Sequence, residues 1–236
     1  MLSENYIYYP IQLSGEELDA FLEKGWYRMG QSIFTTHYIS LEDQVYRVFW
    51  LRYDLQKLIL SKRQQRLIKR NAQFTIAIKP LEITDELETL YALYKSGINF
   101  EPAWSVQHWL YGDQSMNVFA TELIEIRDKG RLIAAGITDL GHNSIAGIMN
   151  FYHPDYKKYS LGKYLMLVKM QYAKTKNMKW YYPGYIVYNH SGFDYKLFAD
   201  KNATEVFIPE LENWELYNSE LTNRYGNGIA SFFENQ

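Results

Sequence analysis

Hydrophobic positions along the chain change period in a way that marks its elements. Residues 144–152 form a short, nearly continuous apolar run, Ser-Ile-Ala-Gly-Ile-Met-Asn-Phe-Tyr, as expected of a strand buried on both faces. A polar stretch over 153–159 follows, then Ser160-Leu161-Gly162, apolar residues at helical spacing to about 174, and a second apolar run over 179–185. Strand, helix and strand at this spacing predict a βαβ-like unit with parallel strands. Its loop delivers Ser160 and Gly162 to a helix start, where free backbone N–H groups and the positive dipole end favour an anion.

The remaining pattern supplies the frame. Ser14-Gly15-Glu16-Glu17 reads as a capping box opening a helix to about 24, with Gly25 as its stop. Residues 44–51, rich in Val, Phe and Trp, read as a strand. A helix over 61–72, a strand over 74–78, a Thr84-capped helix to about 95 and a short helix near 105–111 come next. Strands over 117–127, 131–140 and 144–152 are separated by the turn signals Asp128-Lys129-Gly130 and Gly141-His142-Asn143. The order helix, helix, three-strand meander, helix, strand resembles the GNAT acyltransferase architecture. The fold class expected is α+β: a mixed, mostly antiparallel sheet flanked by helices, with a small N-terminal subdomain. A boundary near Pro80 would separate residues 1–80, including the helix over 61–72, from an acyltransferase-like domain over 81–236. The aromatic, acidic tail from Pro209 carries no clear period.

Composition narrows the chemistry. The chain of 236 residues is 47% hydrophobic and 17% aromatic, so a sizeable core is expected. It has no cysteine, which excludes disulfides, thiolate metal sites and a cysteine nucleophile. Residues 1–10 lack the pattern of a signal peptide, and no apolar stretch approaches the roughly 18 residues of a membrane span. A cytoplasmic protein without membrane contact is expected, as a monomer, with no cofactor and no metal.

Charge is unevenly spread. Between positions 55 and 81 lie seven cations (Lys57, Lys62, Arg63, Arg66, Lys69, Arg70, Lys79) and no acid. The other 18 Lys and Arg face 27 acids, so a basic segment sits on an acidic body. On a helix, Lys62, Arg63, Arg66, Lys69 and Arg70 fall within an arc of roughly 120°, with Gln64, Ile68, Asn71 and Ala72 opposite. Two readings stand: a solvated surface face, or a track for phosphates that arginine contacts bidentately.

Lys157, Lys158 and Lys163 flank the helix-start loop, which favours an anion there. Its single glycine is poorer than the glycine-rich loop usual for acetyl-CoA. Tyr181-Tyr182-Pro183-Gly184-Tyr185 ends the following strand, where a proline fits an edge or a bulge. Tyrosines here are core aromatics, or hydroxyl donors and stacking platforms at a site. His190 and Asp194 follow, without metal-ligand spacing or a Ser/His/Asp arrangement.

Four stretches resemble the aminoacyl-tRNA–protein transferases, both the arginyl-transferases and their bacterial leucyl-transferring relatives. They are Leu22-Glu23-Lys24-Gly25-Trp26-Tyr27-Arg28-Met29-Gly30; Ser61-Lys62-Arg63-Gln64-Gln65-Arg66 with Arg70-Asn71; Phe151-Tyr152-His153-Pro154-Asp155 with Ser160-Leu161-Gly162; and Tyr182-Pro183-Gly184-Tyr185 with Tyr195-Lys196. The resemblance spans about residues 22–198. The chain departs from the family in having no cysteine: Ser32-Ile33-Phe34-Thr35-Thr36-His37-Tyr38 stands where N-terminal cysteines would fall, and His190, Gly192 and Phe193 replace a Cys, Lys and Met further on.

The resemblance implies transfer of an arginyl or leucyl group from aminoacyl-tRNA to the N-terminal α-amine of acceptor proteins, of N-degron type. It implies that Tyr152, Tyr182, Tyr185 and Tyr195 line the reaction centre. Lys62, Arg63, Arg66, Lys69, Arg70, Asn71, Gly184 and Lys196 would meet tRNA or the acceptor, and Ser160, Leu161 and Gly162 would hold the donor 3′ end. Two alternatives stay open: a GNAT-like N-acyltransferase with an acyl-CoA donor, and a non-catalytic descendant that binds RNA or a protein N-terminus.

Overall fold

A computed structural model describes residues 6–41, 43–98, 102–114 and 116–226. The first five positions and the end of the tail, 227–236, lie outside the described residues. A small antiparallel sheet comes first: β1 (Tyr6–Tyr8), β2 (Tyr27–Met29) and β3 (Ser32–Thr35) in the order β1-β3-β2, with α1 (Gly15–Glu23) between β1 and β2. Ser14 and Glu17 form the expected capping box, and Gly25 follows α1 at φ 75°.

The large sheet has nine strands. It draws on β4 (Tyr38–Leu41), β5 (Gln44–Asp54), β6 (Thr75–Pro80), β7 (Thr121–Asp128), β8 (Arg131–Leu140), β9 (Ser144–Tyr152), β10 (Trp180–Val187), β11 (Thr204–Ile208) and β12 (Asn213–Leu216). The order is β12-β11-β5-β10-β9-β8-β7-β6, with β4 paired to β5. Between these strands run α2 (Lys62–Asn71), α3 (Asp85–Lys95), α4 (Val106–Tyr111) and α5 (Leu161–Thr175), and α6 (Ser219–Gly226) follows β12. All pairs are antiparallel except β9 with β10, the parallel pair joined through α5. This is the expected α+β, GNAT-like arrangement. Pro80 is the last residue of β6, which pairs with β7, and β5 lies between β10 and β11, so residues on both sides of Pro80 build one sheet.

Local chemistry explains the boundaries. Lys129 and Gly130, both at positive φ (49° and 88°), make the tight β7–β8 turn. Ser61 and Gln64 form a second capping box, and Thr84 and Ser105 cap α3 and α4. Strand alternation then divides the core. Ile124, Ile126 and Ile133 pack with Leu161, Leu165 and Val168 of α5; Leu123, Ala135 and Phe151 pack with Leu87, Tyr91 and Leu110 of α3 and α4. Of the two places expected for Pro183, an edge or a bulge, it takes the second: β10 is interior, and Pro183 lies where the β10–β5 register shifts between Tyr181 and Gly184. One expectation needs correction. In α2 the buried residues are Gln64, Leu67 and Asn71, whereas Ala72 is an exposed cap.

A buried lysine sits at a second irregularity. The β8–β9 register shifts between Ile137 and Thr138, which frees carbonyls from the ladder. Lys169 of α5, wholly buried, donates from Nζ to Ile137 O at 2.6 Å and to Met149 O at 3.0 Å. Desolvation pulls its ammonium down to about 7, against the attraction of Asp139. Its folded value lies below the unfolded one, so the folded protein holds fewer protons between the two, and stability attributable to Lys169 rises with pH through that window. The stability difference between the wild type and Lys169→Met is expected to shift in favour of the wild type from pH 7 to pH 9. Denaturant unfolding at both pH values measures this; a difference that does not change with pH contradicts it.

Candidate active site

The site grows from a fork in the sheet. β9 and β10 pair only at Trp180–Ser144, Tyr181–Ile145 and Tyr182–Ala146. Beyond Tyr182, β10 continues along β5, through Gly184–Leu51 to Val187–Val48, while β9 stays with β8. The Tyr27 hydroxyl bridges the fork, 2.7 Å from Gly147 O and 3.1 Å from Tyr182 O. Position 147 has to be glycine, since a Cβ would lie 2.5 Å from the Tyr181 hydroxyl. Pro183 carries no N–H and leaves no orphan donor where the pairing stops.

A cavity of about 690 Å³ fills the opening. One wall is β9, from Gly147 to Asn150 and Tyr152; the facing wall is Tyr181 with Pro183 to Tyr185. Ser160, Gly162 and Lys163 from the start of α5 close one end, Tyr195 and Lys196 another, and Tyr94 and Trp109 contribute from α3 and α4. Gly162 lies against the Tyr152 ring, at a distance where a Cβ would make an ordinary contact of 3.5 Å. Gly184 has φ 93°, and a Cβ there would face the Lys196 ammonium at 3.6 Å.

The expected residues fall into three groups. Tyr152, Tyr185, Tyr195, Ser160, Gly162, Gly184 and Lys196 share the cavity. Tyr182 does not line it: the ring is buried against Trp214, with centroids 5.7 Å apart. Alternation along β10 sends Tyr181, Pro183 and Tyr185 to the cavity and the Tyr182 ring to the other face. Tyr181 is the residue that sequence reasoning missed, and its parity with Tyr185 was the available signal. Leu161 is likewise buried, in the core beneath α5. Trp50, Tyr94 and Trp109 had no short-range signal, because the chain places them by topology alone. His190 packs edge-on to Tyr46 and Phe193, outside the cavity.

The basic helix adjoins rather than lines this cavity. Lys62, Arg63, Arg66, Lys69 and Arg70 are all exposed and enter no ion pair among the described residues. Arg70 Nη1 donates to Lys158 O at 2.8 Å. Asn71, fully buried, donates from Nδ2 to Leu67 O (2.9 Å) and Tyr159 O (3.1 Å). Asn71 therefore positions the helix-start turn against α2 and cannot itself meet a ligand.

Electrostatics give the cavity one sign. Among the described residues, none that lines it is Asp or Glu. Arg28 is neutralised by buried Asp139 at 2.9 Å, whereas Lys157, Lys163 and Lys196 enter no ion pair among the described residues. Lys196 donates to Tyr185 O at 2.8 Å and lies 5.0 Å from the centroids of Tyr185 and Phe193. Desolvation pulls its ammonium down to about 8. Burial pushes the Tyr195 phenol up to about 12 and raises Tyr185 as well. Both phenols are protonated at neutral pH, so they serve as hydrogen-bond donors, not bases. Among the described residues no group of His, Asp and Glu could hold a metal.

A meander, a helix-start loop and a fork between parallel strands define a GNAT-like acyltransferase site. Residues 86–202 match the family model described as arginine-tRNA-protein transferase, C terminus. The chain is 29% identical over 199 residues to aspartate/glutamate leucyltransferase of Leptospira interrogans, covering 81% of this chain and 75% of that one. It is 27% identical over 208 residues to aspartate/glutamate leucyltransferase of Helicobacter hepaticus, covering 84% and 83%. Among solved structures it is similar to L-PGS from Bacillus licheniformis, with a TM-score of 0.46 and 13% identity over 76% of this chain and 52% of that one. The protein belongs to the aminoacyl-tRNA–protein transferase family and is an aminoacyltransferase.

The strap between α2 and the helix-start turn is open to measurement. Asn71→Ala leaves Tyr159 O and Leu67 O without their side-chain donor, and is expected to cost about 1–3 kcal/mol of stability. Urea unfolding reads the change; a variant as stable as the wild type rules the strap out.

Proposed function

We propose that the protein transfers an apolar aminoacyl group, leucyl rather than arginyl, from tRNA to the N-terminal α-amine of proteins that begin with Asp or Glu. The observation that carries this is the single sign of the cavity. An arginyl side chain would need a carboxylate partner in a partly desolvated site, and among the described residues none that lines the cavity is a carboxylate. Ile148, Met149 and Met166 instead offer apolar surface. The unpaired lysines suit an acidic acceptor, and Lys196 is the cation set deepest among the rings.

In this reading the neutral α-amine attacks the ester carbonyl carbon. A C–N bond forms, the C–O bond to the ribose breaks, and the proton lost by the amine ends on the ribose hydroxyl. The ester is already activated, and an α-amine titrates at about 7.7–8.0, so a sizeable neutral fraction exists without a base. What remains is positioning and stabilising the oxyanion. The hydroxyls of Tyr152, Tyr181, Tyr185 and Tyr195 supply donors around the cavity. Lys196 pairs with the acceptor's acidic side chain, and the α2 face Lys62, Arg66, Lys69 meets the tRNA backbone.

Radiolabelled transfer to a peptide beginning with Asp is expected with leucyl-tRNA at least about 100-fold faster than with arginyl-tRNA, the discrimination expected for an unpaired desolvated guanidinium. Equal rates, or faster arginyl transfer, overturn the reading. The pH profile gives a second check. Lys196 is charged below about 8, and the amine is neutral above its own value. The kcat/KM for an Asp-initiated peptide should rise towards pH 8 and fall above it. Lys196→Met should raise KM and remove the falling limb; an unchanged alkaline limb excludes Lys196 as the reader of the acidic side chain.

A further inference from the structure

The sequence marked two basic features, the α2 face and the loop before α5, and the fold brings them together around a second, smaller pocket. It has a volume of about 220 Å³ and is lined by Arg63, Gln64, Leu67 and Arg70 of α2, by Ser61, and by Ser160, Lys163 and Phe198. Three cations face it and, among the described residues, none that lines it is an acid. Arg63, Arg70 and Lys163 enter no salt bridge among the described residues. Arg63 and Arg70 stand two helical turns apart, on one face. Arg70 spends one amine on Lys158 O and keeps its remaining donors. Ser160, at φ 52°, makes no side-chain capping bond to α5, so the first-turn N–H groups lack the capping acceptor most helices have. Lys62, Arg66 and Lys69 do not line this pocket.

The two pockets adjoin: Ser160 and Lys163 line both. A donor that spans them needs an acyl group at one end and an anion a short distance away. An aminoacylated terminal nucleotide has this shape, with the ester on the ribose 3′ side and a phosphate on the 5′ side. We propose that the pocket between α2 and the start of α5 binds the 5′-phosphate of the nucleotide that carries the aminoacyl ester, through Arg63, Arg70 and Lys163. The assignment rests on the aminoacyl-tRNA reading above. It makes the donor site bipartite: the large cavity takes the aminoacyl group, and the small pocket sets how far the ester reaches into it. Gln64 fixes the pocket's depth, because its Nε2 donates to Phe198 O at 2.6 Å and to Ala199 O.

The test uses minimal donors on the full chain: leucyl-adenosine with and without a 5′-phosphate, and intact leucyl-tRNA alongside. The phosphorylated donor is expected to show at least about tenfold higher kcat/KM, the worth of one charge-assisted hydrogen bond. In the doubly substituted Arg63→Gln, Lys163→Gln protein, checked for folding by circular dichroism, the ratio between the two donors should fall to near one. Calorimetry gives a readout apart from turnover: adenosine 5′-monophosphate should bind the wild type at least about tenfold tighter than adenosine. Equal use of the two donors by the wild type, or a ratio that survives the double substitution, overturns the assignment. If intact leucyl-tRNA supports transfer and the phosphate makes no difference, this pocket assignment fails alone. If leucyl-tRNA supports no transfer, the functional reading fails and takes this one with it.

Discussion

Opening a sheet between two parallel strands is the constraint on which the site depends. Each backbone N–H and C=O freed at the fork needs a new partner or free access to water. The protein answers with individual residues. Tyr27 reaches from the small sheet to Gly147 O and Tyr182 O. Pro183 removes a donor at the point of divergence, and Lys196 satisfies Tyr185 O at 2.8 Å. On its other edge β10 stays paired with β5 from Trp180 to Val187. The cavity is therefore a consequence of solved backbone bonding, and the residues that solve it line its walls.

Two buried charges hold the surrounding frame. Arg28 donates to Asp139 at 2.9 Å, to Thr121 at 3.0 Å and to Leu110 O at 3.2 Å, while its guanidinium lies 4.4 Å from the Phe119 ring centroid. One side chain thus ties β2 to β7, β8 and α4. Lys169 ties α5 to the shifted register of β8 and β9. Breaking either contact would strand a buried charge, which costs far more than the intact pair contributes. The small sheet is held differently. Hydroxyls do the work over residues 32–36: Ser32 donates to Met29 O, Thr35 to Gly25 O and Thr36 to Tyr38 O, all within 2.8 Å. This is the stretch where the family resemblance places cysteines.

Much of this was legible in the sequence where local chemistry decides. Ser14, Ser61, Thr84 and Ser105 announce their helices because capping is set by residues three apart. β9, α5 and β10 stand out because a parallel pair buried on both faces must be apolar throughout. β1 to β4 were not recognised: each has only three or four residues and too few positions to show a period. β11 and β12 were hidden because Phe207 and Trp214 bury against α1 and the small sheet, a pairing that only the assembled fold provides. At the site, the tyrosine cluster was visible, but which ring enters the cavity depends on strand parity, and this separates Tyr185 from Tyr182. The pairing of Arg28 with Asp139, 111 positions apart, has no local signature at all.

The chemistry of the site follows from what the fork excludes as much as from what it holds. A carboxylate near the ester would act as a base and would also draw a cationic side chain into the cavity; neither is needed in the proposed reaction, where the ester is activated and part of the α-amine is neutral. Burial keeps the Tyr185 and Tyr195 phenols protonated at neutral pH, so in the proposed reaction they would donate to a developing oxyanion without competing for the amine's proton. Lysines held among rings keep the cavity attractive to carboxylates and phosphates together. A cavity of one sign would fail to tell donor from acceptor if both were simple anions. In the proposed reading the two have different partners: phosphate groups would meet α2 and the start of α5, whereas the acceptor's acid would meet Lys196, beside Gly184 and Tyr185 in the same cavity.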